Sequence, residues 1–231
     1  MFKGLYPQNI FYLLHDLKSK TMIKTLFLDL DDTLFPTQSI DKKLVQPFID
    51  EVARYVPQKQ RLVMEKEVWI LPFSHIFKKY RLSDQQVDLC LNVLNTVDLQ
   101  GKIKPYEDYK IVKKLPVQKM LVTTATTDFQ WHKIEALGIK QDFTDIVIDD
   151  PMKSSAGKEG AFKHLLDKYA LNPQSVLVIG DNPNSEIRAG KMLGLTTVLI
   201  DRRNRLPEDS STDYRIINFG ELPGILEGLN G

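Results

Sequence analysis

The run from Thr25 to Leu34 (TLFLDLDDTL) constrains the fold of this chain more than any other stretch. Residues Leu26 to Leu28 form the unbroken apolar run that is typical of a strand buried on both faces of a parallel sheet. The run stops at Asp29, and a second acid, Asp31, follows after one intervening residue. Ligands bind beyond the carboxyl ends of strands in open α/β sheets, so these two acids are predicted to share one small site.

The three acids of this segment are not explained by local structure alone. A helix N-cap or an Asx turn accounts for one aspartate, but poorly for Asp29, Asp31 and Asp32 together. Neighbouring carboxylates repel each other and raise one another's pKa unless a cation or a shared proton relieves them. The segment therefore indicates a functional site in which the negative charge is compensated.

Composition bounds the kinds of protein that this chain can be. With 231 residues, of which 42% are hydrophobic, it can bury a substantial core as one domain with an insertion or as two modest domains. Its 31 basic and 30 acidic residues leave a net charge of +1, which gives no electrostatic reason to expect binding to nucleic acid or to a membrane. The basic run from Asp201 to Arg205 is predicted to be a solvated loop.

The single cysteine, Cys90, excludes an internal disulfide and the usual zinc and dithiol redox patterns, and its leucine neighbours predict a buried or half-buried thiol. No apolar segment approaches the length needed to span a membrane, and the N-terminal apolar patch does not resemble a signal peptide. A soluble, cytoplasmic protein is expected. Residues 1–21 are read either as a short amphipathic helix or as a poorly docked extension, and the sequence does not decide between them.

The periodicity of apolar residues divides the chain into a sheet region and a helical insertion. After Leu34 the pattern becomes helical, over 44–52, 62–77 and 87–94. An α/β rhythm begins near Lys104, with strands predicted at 119–123, 144–148, 175–179 and 196–200 and helices at 129–137, 156–169 and 185–193. We therefore expect a Rossmann-like parallel sheet with helices on both faces, formed by residues 22–35 and 101–231, and an all-helical cap formed by residues 36–100.

Three further groups of polar residues lie at predicted strand ends or helix starts. Gly180 and Asp181 follow an apolar strand and Glu186 comes within one helical turn, while Thr123 and Thr124 end another strand. Either Lys153 or Lys158 precedes a helix. Oxygen ligands without histidine or cysteine favour Mg²⁺ over zinc or copper. The alternative for Glu186 is an acid that complements the dipole of its helix.

From Met22 onward these segments resemble the haloacid dehalogenase (HAD) superfamily of phosphohydrolases, in the subgroup with a small helical cap. The D-x-D-x-T motif of that family matches Asp29, Asp31 and Thr33, its strand-ending threonine matches Thr123, and its G-D motif with a later acid matches Gly180, Asp181 and Glu186. The family's lysine is assigned to Lys158, which fits the spacing better than Lys153, although the usual Lys-Pro pair is absent and Glu186 stands where Asp is commoner.

The resemblance implies the role of each residue. Asp29 would attack phosphorus to form an aspartyl-phosphate, Asp31 would be the general acid and base, and Lys158 (Lys153 as the alternative) would neutralise Asp29. The resemblance also implies that Thr123 and Thr124 bind the phosphoryl group, and that Mg²⁺ is held by the metal residues Asp29, Asp31 (through its carbonyl), Asp181 and Glu186.

The expected substrate is a small phosphomonoester such as a nucleotide, a sugar phosphate or phosphoglycolate, acted on by a monomer or a homodimer. Asp31 stands where dehalogenases of the superfamily carry Tyr, and Asp32 where its mutases usually carry Gly, so a phosphatase is the favoured member. A phosphotransferase or mutase, or a non-catalytic protein that binds a phosphorylated ligand, remains as an alternative.

Overall fold

The computed structural model describes residues 22–207 and 211–231, so the predictions for residues 1–21 lie outside the described residues. Its first strand, β1 (Thr25–Leu28), is buried at every position. Because successive side chains on a strand point to opposite faces, Leu26 and Leu28 join one apolar cluster and Phe27 joins another. The continuous apolar run therefore reflects a central strand that is covered on both faces, as predicted.

The sheet has six strands, all parallel, in the order β3-β2-β1-β4-β5-β6. The strands after β1 are β2 (Gln118–Thr124), β3 (Asp145–Asp149), β4 (Val176–Gly180), β5 (Thr196–Ile200) and β6 (Tyr214–Ile216). Leu28, the last residue of β1, pairs with Leu121 of β2 and Ile179 of β4. The residues that follow these positions therefore leave the sheet at the same edge. The α/β Rossmann-like fold predicted from the sequence is confirmed, and β6 is an additional edge strand.

Nine α-helices occupy the described ranges of the chain. Four lie between β1 and β2: α1 (Lys42–Tyr55), α2 (Arg61–Glu67), α3 (Phe73–Lys79) and α4 (Asp84–Leu94). The others are α5 (Tyr109–Lys114), α6 (Thr127–Leu137), α7 (Gly157–Lys168), α8 (Arg188–Met192) and α9 (Leu222–Asn230). A π-helical turn at Pro183–Ile187 precedes α8. None of the helices in these ranges combines the length and the apolar character that crossing a bilayer requires.

The helical pattern over 62–77 does not form one helix, which corrects the sequence-based expectation. It is divided into α2 and α3, and Pro72 is the N-cap of α3. The residue before a proline is disfavoured in the helical region, so Leu71 cannot continue α2 into α3. The break leaves a loop, residues 68–72, which lies over the carboxyl edge of the sheet and lines the cavity there.

The apolar core is continuous between the sheet and the inserted helices. Phe48 of α1 is fully buried, and its ring centroid lies 4.7 Å from that of Phe73 on α3. On the opposite face of the sheet, Phe27 packs against Phe162 of α7 with ring centroids 5.3 Å apart. Cys90 is fully buried, as predicted.

Candidate active site

Asp29 lies at the point where β1 leaves the sheet. Its backbone N–H still donates to the Ile179 carbonyl of β4 at 3.0 Å, which fixes its backbone in line with the strand. The chain then turns sharply, and Asp32 adopts a left-handed conformation with φ of 53°, which aspartate tolerates better than most residues. The turn brings Asp31 back to the cavity that Asp29 lines. The two carboxylates therefore face one volume, as the sequence predicts.

Lys158 provides the cation that compensates Asp29. From the first turn of α7, its Nζ lies 2.6 Å from Asp29 Oδ1 and 3.0 Å from Glu186 Oε1. It also donates to the Val122 carbonyl at 2.5 Å, and its side chain is 4% exposed. The alternative lysine, Lys153, is 66% exposed and donates to Thr127 Oγ1 at 3.0 Å instead. Of the two lysines, Lys158 is the one that contacts Asp29.

The pKa values of the site are shifted by burial and by the neighbouring charges. Burial raises the pKa of Asp29 well above its usual value against the opposing effect of Lys158, and the neighbouring carboxylates, first Glu186, add to the increase. Burial also raises the pKa of Asp181, from 3.8 to about 7. For Lys158 burial acts to lower the pKa, but the carboxylates of Asp29 and Glu186 outweigh it and the pKa rises above its usual value. The lysine therefore stays charged, and an excess of carboxylates remains around it.

Asp181 and Glu186 enter the site from the end of β4. A Cβ atom on Gly180 would lie 2.6 Å from Glu186 Cγ, so only glycine lets the Glu186 side chain fold back against the strand end. One oxygen of Glu186 contacts Lys158, whereas the other, Oε2, is buried without a hydrogen-bond partner. An unpartnered buried carboxylate oxygen beside further acids fits a hard divalent cation.

The described residues contain no ready-made cage of three or more His, Cys, Asp or Glu side chains for a metal ion. Mg²⁺ does not need such a cage, because it usually keeps several waters and takes one or two carboxylates from the protein. Asp29 and Asp181 both line the cavity and supply that number. The chemistry of these donors therefore fits Mg²⁺ as the sequence predicts it.

The two threonines at the end of β2 have different surroundings. Thr123 is buried, and its Oγ1 accepts a hydrogen bond from Gln130 Nε2 at 2.5 Å. Thr124 donates through its hydroxyl to Asp149 Oδ2 at 3.3 Å, and both threonines line the cavity. The structure thus brings both threonines, Asp29, Asp31, Asp181 and Glu186 to one cavity of about 430 Å³.

Two residues of the site were not predicted from the sequence. Gln130 and Lys133 of α6 both contact the carboxylate of Asp31, at 2.7 Å and 2.8 Å. Both are buried polar side chains that lie three positions apart on a helix otherwise buried through apolar residues. Their spacing is the feature of the sequence that could have identified them as site residues, because residues three apart on the helix after Thr123 share one helix face.

The side of the cavity that faces the inserted helices is largely apolar. Its wall comprises Ile40, Val45, Val68, Trp69, Ile70, Leu71, Pro72, Phe73 and Phe129, with Ser74 and Thr37 as polar members. His75, Arg61 and Lys66 are exposed and do not line it. A leaving group in this part of the cavity would therefore meet mainly hydrocarbon.

The basic run from Asp201 to Arg205 is not simply a solvated loop, which corrects the sequence-based expectation. Arg202 is half-buried, and its guanidinium lies 3.7 Å from the ring centroid of Tyr106. It forms two hydrogen bonds to the Asp108 carboxylate, at 3.0 and 3.2 Å, and donates to the Thr33 carbonyl at 2.9 Å. Arg202 thus anchors the turn that carries Asp29 and Asp31.

A model of the haloacid dehalogenase-like hydrolases matches residues 23–194, which include every site residue described above except the arginine anchor. The chain belongs to the haloacid dehalogenase-like hydrolase family. It is 25% identical to the N-acylneuraminate-9-phosphatase of Mus musculus over 90% of this chain and 95% of that protein. It is 27% identical to the glyceraldehyde 3-phosphate phosphatase of Methanocaldococcus jannaschii over 90% of this chain and 99% of that protein.

A solved structure of a HAD phosphatase from Thermococcus onnurineus superposes on this chain with a TM-score of 0.64 at 20% identity, covering 90% of this chain and 100% of that one. At that identity the likeness establishes the fold alone. The family therefore follows from the sequence match, and the fold agrees with it.

Proposed function

We propose that this HAD-family hydrolase is a Mg²⁺-dependent phosphatase that cleaves a small phosphomonoester through an aspartyl-phosphate on Asp29. The buried contact between Asp29 and Lys158, with Asp31 in the same cavity, carries the proposal. A carboxylate nucleophile must approach a phosphoryl group of the same sign, and a buried ammonium reduces that repulsion. The relatives named above are phosphatases, which supports the same reaction.

In the first step Asp29 attacks phosphorus, an aspartyl O–P bond forms and the bond from phosphorus to the leaving oxygen breaks. Asp31 gives its proton to that oxygen as it departs. In the second step Asp31 takes a proton from water, the water oxygen bonds to phosphorus and the Asp29 carboxylate is released. Thr123, Thr124 and backbone N–H groups after Asp29 would hydrogen-bond the phosphoryl oxygens.

Asp29, the carbonyl of Asp31, and Asp181 would hold Mg²⁺, with Glu186 contributing through its unpartnered oxygen either directly or through water. Bound there, Mg²⁺ supplies positive charge that brings nucleophile and phosphoryl group together. Lys158 holds Asp29 in place through one of the two oxygens of that carboxylate.

The substrate class is a small phosphomonoester. A cavity of about 430 Å³ accommodates one compact leaving group in addition to the phosphoryl group. Two of the relatives, the N-acylneuraminate-9-phosphatase and the glyceraldehyde 3-phosphate phosphatase, are named for such esters. Nucleotides, other sugar phosphates and phosphoglycolate belong in the same test panel.

The direct test is release of phosphate from p-nitrophenyl phosphate in the presence and absence of Mg²⁺. Asp29→Asn is expected to abolish release, since the amide is no nucleophile, and chelation of the metal is expected to do the same. Acid quenching of a single turnover should leave the phosphoryl group covalently bound to Asp29 in the wild type. A single turnover in ¹⁸O-water should place the label in the released phosphate, because the water oxygen bonds to phosphorus. Full activity in Asp29→Asn, or ¹⁸O in the Asp29 side chain, would contradict the mechanism.

Two alternatives are separated by the same assays. A phosphotransferase would give phosphorylated alcohols or sugars when these acceptors are added, in place of free phosphate. A protein that only binds a phosphorylated ligand would be stabilised against heat by phosphate but would turn over none of the panel.

A further inference from the structure

Both oxygens of the Asp31 carboxylate are held by side chains of one helix. Gln130 Nε2 donates to Oδ2 at 2.7 Å, and Lys133 Nζ donates to Oδ1 at 2.8 Å. Gln130 and Lys133 lie three residues apart on α6, so they project from the same face of the helix. A carboxylate held at both oxygens has little freedom to rotate about its terminal bond.

The burial of Lys133 indicates that this contact is specific. A lysine that serves only to pack its aliphatic stem normally extends its ammonium to water. The side chain of Lys133 is 7% exposed, and its Nζ lies 5.2 Å from the ring centroid of Phe129 and 5.8 Å from that of Phe35. Among the described residues, Asp31 is the only acid that forms an ion pair with it.

Gln130 also connects Asp31 to the end of the neighbouring strand. The same Nε2 atom that contacts Asp31 lies 2.5 Å from Thr123 Oγ1, and the Gln130 side chain is fully buried. One amide group therefore fixes the distance between the proposed general acid and a proposed phosphate-binding hydroxyl. This distance matters because the acid must reach the leaving oxygen while the hydroxyl holds the phosphoryl group.

We propose that Gln130 and Lys133 are positioning residues that aim Asp31 at the leaving oxygen. The inference rests on the proposed function, in which Asp31 protonates that oxygen. It predicts a chemical signature, because proton donation matters only for leaving groups that are poor as anions. An alkoxide needs the proton, whereas p-nitrophenolate departs as a stable anion.

The test compares cyclohexylmethyl phosphate with p-nitrophenyl phosphate, two esters with six-membered rings, in Lys133→Met and Gln130→Met. We expect kcat/KM for the alkyl ester to fall about 100-fold in each variant and kcat/KM for the aryl ester to fall less than about fivefold. This parameter covers only the steps up to departure of the alcohol, so it excludes the later attack of water that Asp31 assists for both esters. Lys133→Arg keeps a hydrogen-bonding cation and should be at least about tenfold more active on the alkyl ester than Lys133→Met. Glu135→Gln, an exposed change on the same helix, serves as the control and should leave the ratio of the two rates unchanged.

Circular dichroism and thermal melting establish that each variant is folded, and if Lys133→Met does not fold then Gln130→Met decides the question. Equal losses on the two esters in a folded variant would overturn the positioning role while leaving the proposed function intact. Absence of any turnover by the wild type with Mg²⁺ would overturn the proposed function, and this inference with it.

Discussion

The Lys158 ammonium lies 2.6 Å from Asp29 Oδ1, and the two side chains are 4% and 8% exposed. An ion pair buried to this degree is costly to assemble and still more costly to break, because either partner alone is left as an uncompensated charge. Lys158 also contacts Glu186, so one ammonium joins residues that follow β1 and β4. Stability and the proposed chemistry therefore depend on the same atom.

Replacing Lys158 by methionine should reduce both activity and stability. We expect kcat/KM for p-nitrophenyl phosphate to fall by about 100-fold or more, because the nucleophile loses its counter-charge. The free energy of unfolding should fall by about 3–5 kcal/mol, because buried carboxylates lose their partner. Lys153→Met is the matched control, since that exposed lysine should cost less than about 1 kcal/mol. Steady-state kinetics and urea unfolding check both, and a similar effect of the two variants would contradict the assignment.

Gly180→Ala should displace Glu186 from its position. The new methyl group would meet Glu186 Cγ at 2.6 Å and Cβ at 2.7 Å, so the side chain must move away from Lys158. We expect a loss of about 1–3 kcal/mol in stability, together with a fall in activity. Gly228→Ala in α9 has no atom within 4 Å of its Cβ and should stabilise the protein by about 0.5–1 kcal/mol without affecting activity. Chemical denaturation and phosphate release measure both effects.

The raised pKa of Asp181 predicts how stability depends on pH in the metal-free protein. Its pKa is about 7 in the folded protein and 3.8 as its ordinary value, so the folded state binds the proton more tightly between these two pH values. The stability associated with that proton is present below pH 3.8 and is lost as the pH rises through about 7. Relative to Asp181→Asn, the wild type should therefore lose up to about 1.4 kcal/mol per pH unit in this window.

Mg²⁺ should reverse this dependence, because binding requires Asp181 to be ionised. We expect saturating Mg²⁺ to raise the melting temperature more at pH 8 than at pH 5.5, and to raise that of Asp181→Asn much less at either pH. Differential scanning calorimetry with and without a chelator provides the measurement. An equal Mg²⁺ effect in the wild type and the variant would show that Asp181 is not a ligand.

The apolar wall of the cavity predicts which leaving groups are preferred. Val68, Leu71 and Phe73 offer no hydrogen bonds from their side chains, so hydroxyl groups placed against them would lose water without replacement. Cyclohexylmethyl phosphate should therefore have a kcat/KM at least about tenfold above that of glucose 6-phosphate, which matches it in ring size. Leu71→Asn should lower the ratio of kcat/KM for cyclohexylmethyl phosphate to kcat/KM for glucose 6-phosphate. A preference of the wild type for the sugar phosphate would show that the leaving group does not contact this wall.

Sequence patterns located the strands because a central parallel strand needs a continuous apolar run, a requirement that acts within a few residues. The bounds of β5, Thr196–Ile200, agree with the prediction, and the ends of β2 to β4 differ by one residue. The short edge strand β6 was missed because it has only three residues, of which Arg215 is polar. The break between α2 and α3 was missed because apolar periodicity continues across Pro72.

The sequence also placed candidate residues of the site at one edge of the sheet, for a topological reason. In a parallel sheet the carboxyl ends of all strands meet at one edge, so Asp29, Thr123 and Asp181 had to converge once their strands were recognised. The family match bears out the resemblance that these motifs carried. The individual roles of these residues stay predictions until the experiments above are done.

The sequence by itself determined five of the six strands, the edge of the sheet at which the acids gather, and the family. Only the tertiary structure decided that Lys158 and not Lys153 contacts Asp29, and that Gln130 and Lys133 hold Asp31. It also decided that Arg202 anchors the turn that carries both aspartates. The physical reason is the distance along the chain over which each signal acts. A periodic pattern is local, and it specifies which face of an element is buried and where the element ends. Which distant side chain meets that end depends on how a helix packs on the sheet, and here the partners lie about a hundred residues or more apart in the chain.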